Sequence, residues 1–263
     1  MTHIRAANPL EAFDAFNPQL TIAPEHPWYA DIESFFDPAR YGLRDALHRR
    51  IVPNKFNDQF DKPFRSVGVV GHRGAGKTTL VRSAIAKLKD QHQFTPIVID
   101  ALAVLDQSDF AFADVILTLV NAVVAELERV GATIPDDELQ LVRLWFADEL
   151  LSKAQSTTLQ GDVTTSAELS SGIPLFAKLM AKLSAIVRTD SQTRREIRQH
   201  IEREPRELTR RANLLFDAAA RAFGTQQLLI VIDNLEKINN RNLVDAAILR
   251  RADELHGLRA TLI

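Results

Sequence analysis

The sequence predicts an α/β fold: a three-layer α/β/α sandwich with a mostly parallel sheet and a helical insertion. Three observations carry this. Short, predominantly apolar runs at 66–70, 96–100 and 227–233 alternate with segments of helical period. Such runs are the mark of strands covered on both faces, whereas half-exposed strands alternate apolar and polar residues. The alternation then breaks between 131 and 225, where helical periodicity continues without a strand.

The first part, 1–55, is a Pro- and aromatic-rich segment followed by a lead-in helix. Pro9, Pro18, Pro24, Pro27 and Pro38 argue against a long helix, and Phe13, Phe16, Trp28, Tyr29, Phe35 and Phe36 fit a segment laid along a surface. Leu43, Leu47 and Ile51 recur at i, i+4 and i+8 and predict a helix over 38–51, ended by Pro53 and Asn54. The core is expected in two parts, 56–130 and 226–263. In the first, strand 66–70 leads through a glycine-rich turn into a helix opened by Thr78, whose apolar stripe is Leu80, Val81, Ala84, Ile85 and Leu88. Strand 96–100 and a long helix over 110–129 follow.

The mainly helical insertion, 131–225, opens with Pro135-Asp136-Asp137-Glu138, proline and acids in a first turn. That helix is expected to reach Lys153. Residues 155–172 are Ser/Thr/Gly-rich and read as a loop or weak hairpin. Residues 173–187 are amphipathic, and 193–223 read as two helices divided near Pro205. Strand 227–233 then resumes the sheet, a helix follows over 243–255, and 259–263 reads as the start of another strand. An apolar strand beginning where the sequence stops is expected of a chain truncated at this point.

Composition excludes several classes. Apolar residues make up 46% and charged residues 25% of the 263, so the chain can bury a large core without staples. There is no cysteine, which excludes disulfides, thiolate metal sites and a cysteine nucleophile, and fits a reducing compartment. The net charge of −2 gives no general attraction for polyanions. The N-terminus lacks a signal-peptide core and no apolar run is long enough to span a membrane, so the expected location is cytoplasmic. The seven histidines show no metal-ligand spacing.

The chemistry is concentrated in Gly71-His72-Arg73-Gly74-Ala75-Gly76-Lys77-Thr78, which satisfies Gly-x-x-x-x-Gly-Lys-Thr between a strand and a helix. Backbone N–H groups must wrap around phosphate oxygens, and side chains at 71, 74 and 76 would obstruct them. The helix that follows directs its positive end at the same anion. Lys77 supplies a cation to the β- and γ-phosphates, Thr78 a hydroxyl ligand for Mg²⁺, and Thr79 completes the binding segment. The expected ligand is ATP with Mg²⁺. Asp233, at the end of an apolar strand, is the expected second metal-holding residue.

The residue after Asp233 is Asn234, where the AAA+ pattern has a water-activating glutamate; the nearest downstream carboxylate is Glu236. Asp233-Asn234-Leu235-Glu236 resembles the acidic-x-x-acidic arrangement of bacterial-type STAND ATPases, including NACHT- and KAP-like members. That resemblance covers 66–130 and 226–263. It implies a nucleotide-dependent switch or assembly module in signalling or defence, Glu236 as the catalytic base beside Lys77, and a protein partner or self-assembly. The family's sensor residue and winged-helix region would lie beyond Ile263.

Weaker features are Asp100, which ends the second strand and could order water or cap a loop, and Trp28 and Tyr29, which could stack on adenine or pack on the core. Arg194, Arg195, Arg198, Arg203, Arg206, Arg210 and Arg211 could contact nucleic acid, but Glu196, Glu202, Glu204 and Glu207 interleave with them, as in an ion-paired helix. A GTPase would need Asn-Lys-x-Asp after a later strand; Asn54-Lys55 precedes the loop and continues Phe56-Asn57. A small-molecule kinase would place its acidic strand sooner after the loop. A nucleotide-binding scaffold with little hydrolysis stays open because of Asn234.

Overall fold

The computed structural model describes residues 47, 51, 64–71, 76–90, 94–147 and 172–263. The chain divides into two units, Met1–Pro63 with Val67–His92, and Phe64–Ser66 with Gln93–Ile263. In the first, Leu47 and Ile51 are helical and buried, as their spacing predicts. The rest of the 38–51 helix lies outside the described residues. Helix α1, Lys77–Asp90, buries Val81, Ala84 and Ile85, three members of its predicted stripe.

The second unit is built on a small parallel sheet. Strand β1, Phe94–Asp100, pairs along its whole length with β2, Gln227–Asp233, so that Phe94 faces Gln227 and Asp100 faces Asp233. Strand β3, Thr261–Leu262, lies on the other side of β2, and Ser66 bridges Leu262 in parallel. The Leu262 N–H donates to the Arg65 carbonyl at 2.7 Å. The strand order is therefore Ser66, β3, β2, β1, and each parallel neighbour requires a crossover through other elements. Residues 227–231 of β2 are all buried, as a continuous apolar run implies.

Two expectations give way here. The 66–70 segment is not a buried strand: Ser66 makes a single bridge, residues 67–71 join no ladder, and Val70 is 92% exposed. A strand exists only where a neighbour supplies hydrogen bonds, and beyond Ser66 none are made to this segment among the described residues. Nor is 243–255 one helix. It is α8, Arg241–Val244, a π turn, Asp245–Leu249, and α9, Ala252–His256. A π turn rotates the side chains out of the 3.6-residue register. Leu249, at the end of the π turn, is 65% exposed.

The covering layers are helical. A short helix, α2 (Ala101–Val104), follows β1 directly. Helix α3, Phe112–Val130, is 19 residues long and buries eleven of them, because Val, Leu and Ile occupy almost every side of it. Its first turn is closed by Asp114, whose Oδ2 accepts the Ala111 N–H at 2.8 Å. Its last turn ends at Gly131 with φ 66°, a left-handed conformation that glycine adopts without steric cost. Helix α4, Asp136–Trp145, passes into a π turn at 146–147; the expected end at Lys153 and residues 155–171 lie outside the described residues.

Helix α5, Ile173–Thr189, begins with proline in its first turn. Helix α6, Ser191–Arg203, is capped by Asp190, which accepts the Gln192 N–H at 2.9 Å and the Thr193 N–H at 3.1 Å. Helix α7, Pro205–Phe223, opens on the predicted proline. Helices α5, α6 and α7 pack on α3, α7 also packs on β2, and one apolar core joins them. Phe146, Phe176 and Phe216 are wholly buried within it. Each such side chain contributes roughly 1.5–3 kcal/mol by leaving water.

Candidate functional site

The described parts of the phosphate-loop sequence are Gly71 and Gly76 onward; His72, Arg73, Gly74 and Ala75 lie outside the described residues. Gly76 has φ 77°, so a side chain at this position would strain the backbone. Its carbonyl accepts the first helical bond, from the Leu80 N–H at 2.8 Å, which makes it the residue that starts α1. The N–H groups of Lys77, Thr78 and Thr79 occupy the first turn, where a helix has no internal acceptors to offer. That turn contains no acidic side chain. A 14-residue helix thus presents its positive end with no acidic side chain in its first turn.

Lys77 Nζ donates to the Gly71 carbonyl at 3.1 Å. The first glycine and the lysine of the motif are therefore within one side chain's reach, as a closed loop requires. Phosphate oxygens are stronger acceptors for an ammonium than a backbone carbonyl is.

The second cluster lies at the carboxyl ends of β1 and β2, the edge where open α/β sheets bind ligands. Asp233 ends β2 and accepts the Asn234 N–H through Oδ1 at 2.9 Å. Asn234 has φ 66°, the sole non-glycine residue with positive φ among the described residues. Its Nδ2 donates to Asp100 Oδ1 at 2.8 Å. The same Asp100 oxygen accepts the Leu102 N–H at 3.1 Å and caps α2. Glu236 is exposed on the 3-10 turn Leu235–Lys237 that follows. Sequence reading named each of these residues but missed the bond that joins Asp100 to Asn234 across 134 positions. One signal was available: asparagine is among the few residues that accept a left-handed conformation.

Behind β1, aspartates of the 106–114 segment meet the arginines of α6. Arg194 pairs with Asp106 at 2.6 Å and Asp109 at 3.0 Å, and Arg198 pairs with Asp109 at 2.7 Å and with Asp114. Hydrogen bonds from Ser108 and Arg194 hold the Asp106 carboxyl down to about 2. Burial pushes Asp114 up, against the opposing pull of Arg198. Asp114 Oδ1 and Arg194 Nε have no hydrogen-bond partner among the described residues. Both residues line a cavity of about 250 Å³ that Asp100 borders as well. Arg210 and Arg211 each pair with Glu207 at 2.7 Å. The ion-paired reading of the arginine stretch holds for these four, although Arg194 and Arg198 take aspartates instead of the interleaved glutamates.

The family described as AAA ATPase domain matches residues 49–256, well over half of the chain and all of the 71–79 and 233–236 positions. The chain belongs to the AAA ATPase domain family. No curated protein and no solved structure matches it. Membership makes this an AAA-type P-loop protein that binds nucleotide, in a family of ATP hydrolases. Its fold is α/β, with much helix around a small parallel sheet.

A family of this kind uses Mg²⁺ with its nucleotide. Mg²⁺ prefers hard oxygen donors, keeps several waters, and is held by one or two protein groups plus phosphates. The Thr78 hydroxyl at the start of α1 and the Asp233 carboxylate at the end of β2 are donors of that type. Among the described residues no three His, Cys, Asp or Glu side chains cluster as a metal site, and this mode of binding needs no such cluster. Also among them, no helix is long and apolar enough to cross a membrane.

Proposed function

We propose that this chain binds ATP with Mg²⁺ and hydrolyses it, and that the cycle switches its own arrangement or its assembly with a protein partner. Backbone N–H groups over 71–79 would bind the phosphates. Lys77 would neutralise the β/γ charge, and Thr78 and Asp233 would hold the metal ion, which supplies charge neutralisation at the transferring phosphoryl group. The fold completing this role is a three-layer sandwich, with the 66–71 segment leading into the loop. The STAND-type switch rests on the resemblance of Asp233-Asn234-Leu235-Glu236, the cytoplasmic location on an N-terminal sequence without a signal-peptide core, and both are part of this proposal.

The observation that carries the reading is the Lys77-to-Gly71 closure at the start of an acid-free 14-residue helix. Its test is titration of a fluorescent ATP analogue in Mg²⁺ against wild type and Lys77→Ala. The variant should lose tight binding, and equal affinity would refute the assignment. ATP should outcompete GTP in the same assay. A second reading, a scaffold that binds ATP and hardly hydrolyses it, is favoured by the amide at Asn234. Phosphate release by the wild type decides between the two.

A further inference from the structure

The geometry points to Asp100 as the carboxylate that orients the attacking water, with Asn234 as the residue that positions it. This rests on the ATPase reading above and moves the water-orienting role from Glu236 to Asp100.

The register supplies the first ground. Asp100 faces Asp233 across a parallel ladder, so the two carboxylates leave neighbouring strands at the same end of the sheet. Their backbones are about 4.8 Å apart, the spacing of adjacent strands. A group next to the metal-holding aspartate is where a water activator belongs. The second ground is Asn234. An amide has no basic atom with which to take a proton from water, so position 234 cannot serve that role itself. Its backbone instead adopts a left-handed conformation, and its Nδ2 reaches Asp100 Oδ1 at 2.8 Å.

The division of labour within Asp100 supplies the third. Oδ1 accepts both the Asn234 amide and the Leu102 N–H. Oδ2 accepts no hydrogen bond among the described residues, and the side chain is exposed. One oxygen is fixed and the other is left to meet a water. Asp100 also borders the cavity of about 250 Å³, a volume that takes several waters and connects the carboxylate to solvent. Glu236, by comparison, stands on the turn after β2, outside the ladder.

In the step so described, the water oxygen bonds to the γ-phosphorus while the bond to the β–γ bridging oxygen breaks. The electron pair of that bond leaves with ADP. The water's proton goes to Asp100 Oδ2 and from there to solvent, so charge and atoms balance.

The experiment measures ATP affinity and phosphate release on the same samples of full-length protein. Asp100→Asn keeps an acceptor for the Leu102 N–H, so α2 stays capped. It should bind ATP within about twofold of wild type and release phosphate ~10²-fold or more slowly, the range for a lost general base. Glu236→Gln should stay within about threefold. The exchange variant, Asp100→Asn with Asn234→Asp, restores a carboxylate and an amide to the pair. It should regain at least ~10-fold over Asp100→Asn alone, which loss of a merely structural contact would not allow. Normal release by Asp100→Asn, or the large loss falling on Glu236→Gln, overturns the assignment and leaves the ATPase reading standing. Wild type that binds ATP without releasing phosphate overturns both the assignment and hydrolysis. Wild type that does not bind ATP overturns the nucleotide reading itself.

Discussion

Replacing Asp114 with alanine removes the buried anion between α3 and α6, and the cost can be built from its contacts. Asp114 is 5% exposed; its Oδ2 accepts the Ala111 N–H at 2.8 Å, Arg198 Nε at 2.9 Å and Arg198 Nη2. Loss of the bond that closes the first turn of α3 costs about 1 kcal/mol. Stranding one half of a buried ion pair costs about 3–5 kcal/mol. Two features reduce that figure. Arg198 keeps Asp109, through Oδ1 at 2.7 Å and the carbonyl at 2.9 Å. Asp114 is itself penalised by burial, with Oδ1 unpaired. A net loss of about 2–4 kcal/mol is expected. Asp114→Asn retains an oxygen for the Ala111 N–H and should cost about half as much. Asp114→Leu with Arg198→Met removes both charges and should be more stable than either single variant. Urea unfolding, with unchanged m-values to license comparison, measures all of these. Asp114→Ala within about 0.5 kcal/mol of wild type would refute the energetics, since surface changes alone produce shifts of that size.

Acid should weaken the fold in a specific window. Asp106 and Glu207 are held down to about 2 from ordinary values of 3.8 and 4.5, Asp106 by Ser108 and then Arg194, Glu207 by Arg210 and then Arg211. Depressed carboxyls stabilise fully above their unfolded values and lose that contribution as pH falls through their folded ones. Urea midpoints should therefore drop between about pH 4.5 and 2, and Asp106→Asn should flatten the drop. Asp114 acts with the opposite sign: raised by burial, it is relieved as it protonates, so Asp114→Asn should steepen the decline. Phe216→Ala, in the wholly buried face of α7, should cost about 3–5 kcal/mol in the same assay. Asp233→Asn should weaken Mg²⁺-dependent ATP binding and phosphate release together, and ATP titration with and without Mg²⁺ tests it.

Elements whose signal is local were legible. Strand 227–233 and the division of α6 from α7 at Pro205 are written in a run of apolar residues and a single proline, and both appear where the sequence puts them. The helix after the glycine-rich turn, expected to open at Thr78 and beginning at Lys77, is equally local. What failed depends on neighbours. Residues 67–71 join no ladder, and no property of Val67 or Val70 records that. The π turn over Asp245–Leu249 shifts a helical face without altering composition, so 243–255 reads as one helix from its periodicity alone.

The two clusters of charge show why pairing is harder to read than position. Interleaved arginines and glutamates along 194–211 satisfy helical spacing, and Glu207 does take Arg210 and Arg211 that way. Arg194 and Arg198 share the same helix and the same local choices, yet they turn inward to aspartates more than eighty residues upstream. Burial decides it: an inward-facing guanidinium must find a carboxylate on whichever element packs against it, and solvated glutamates cannot compete. The Asp100–Asn234 bond has the same origin. Each residue alone reads as a loop cap, and only the register of β1 against β2 converts a capping aspartate and a left-handed asparagine into one device at the edge of the sheet. A sequence search for a water-activating acid looks next to Asp233 along the chain, whereas the ladder supplies its nearest neighbour across the chain.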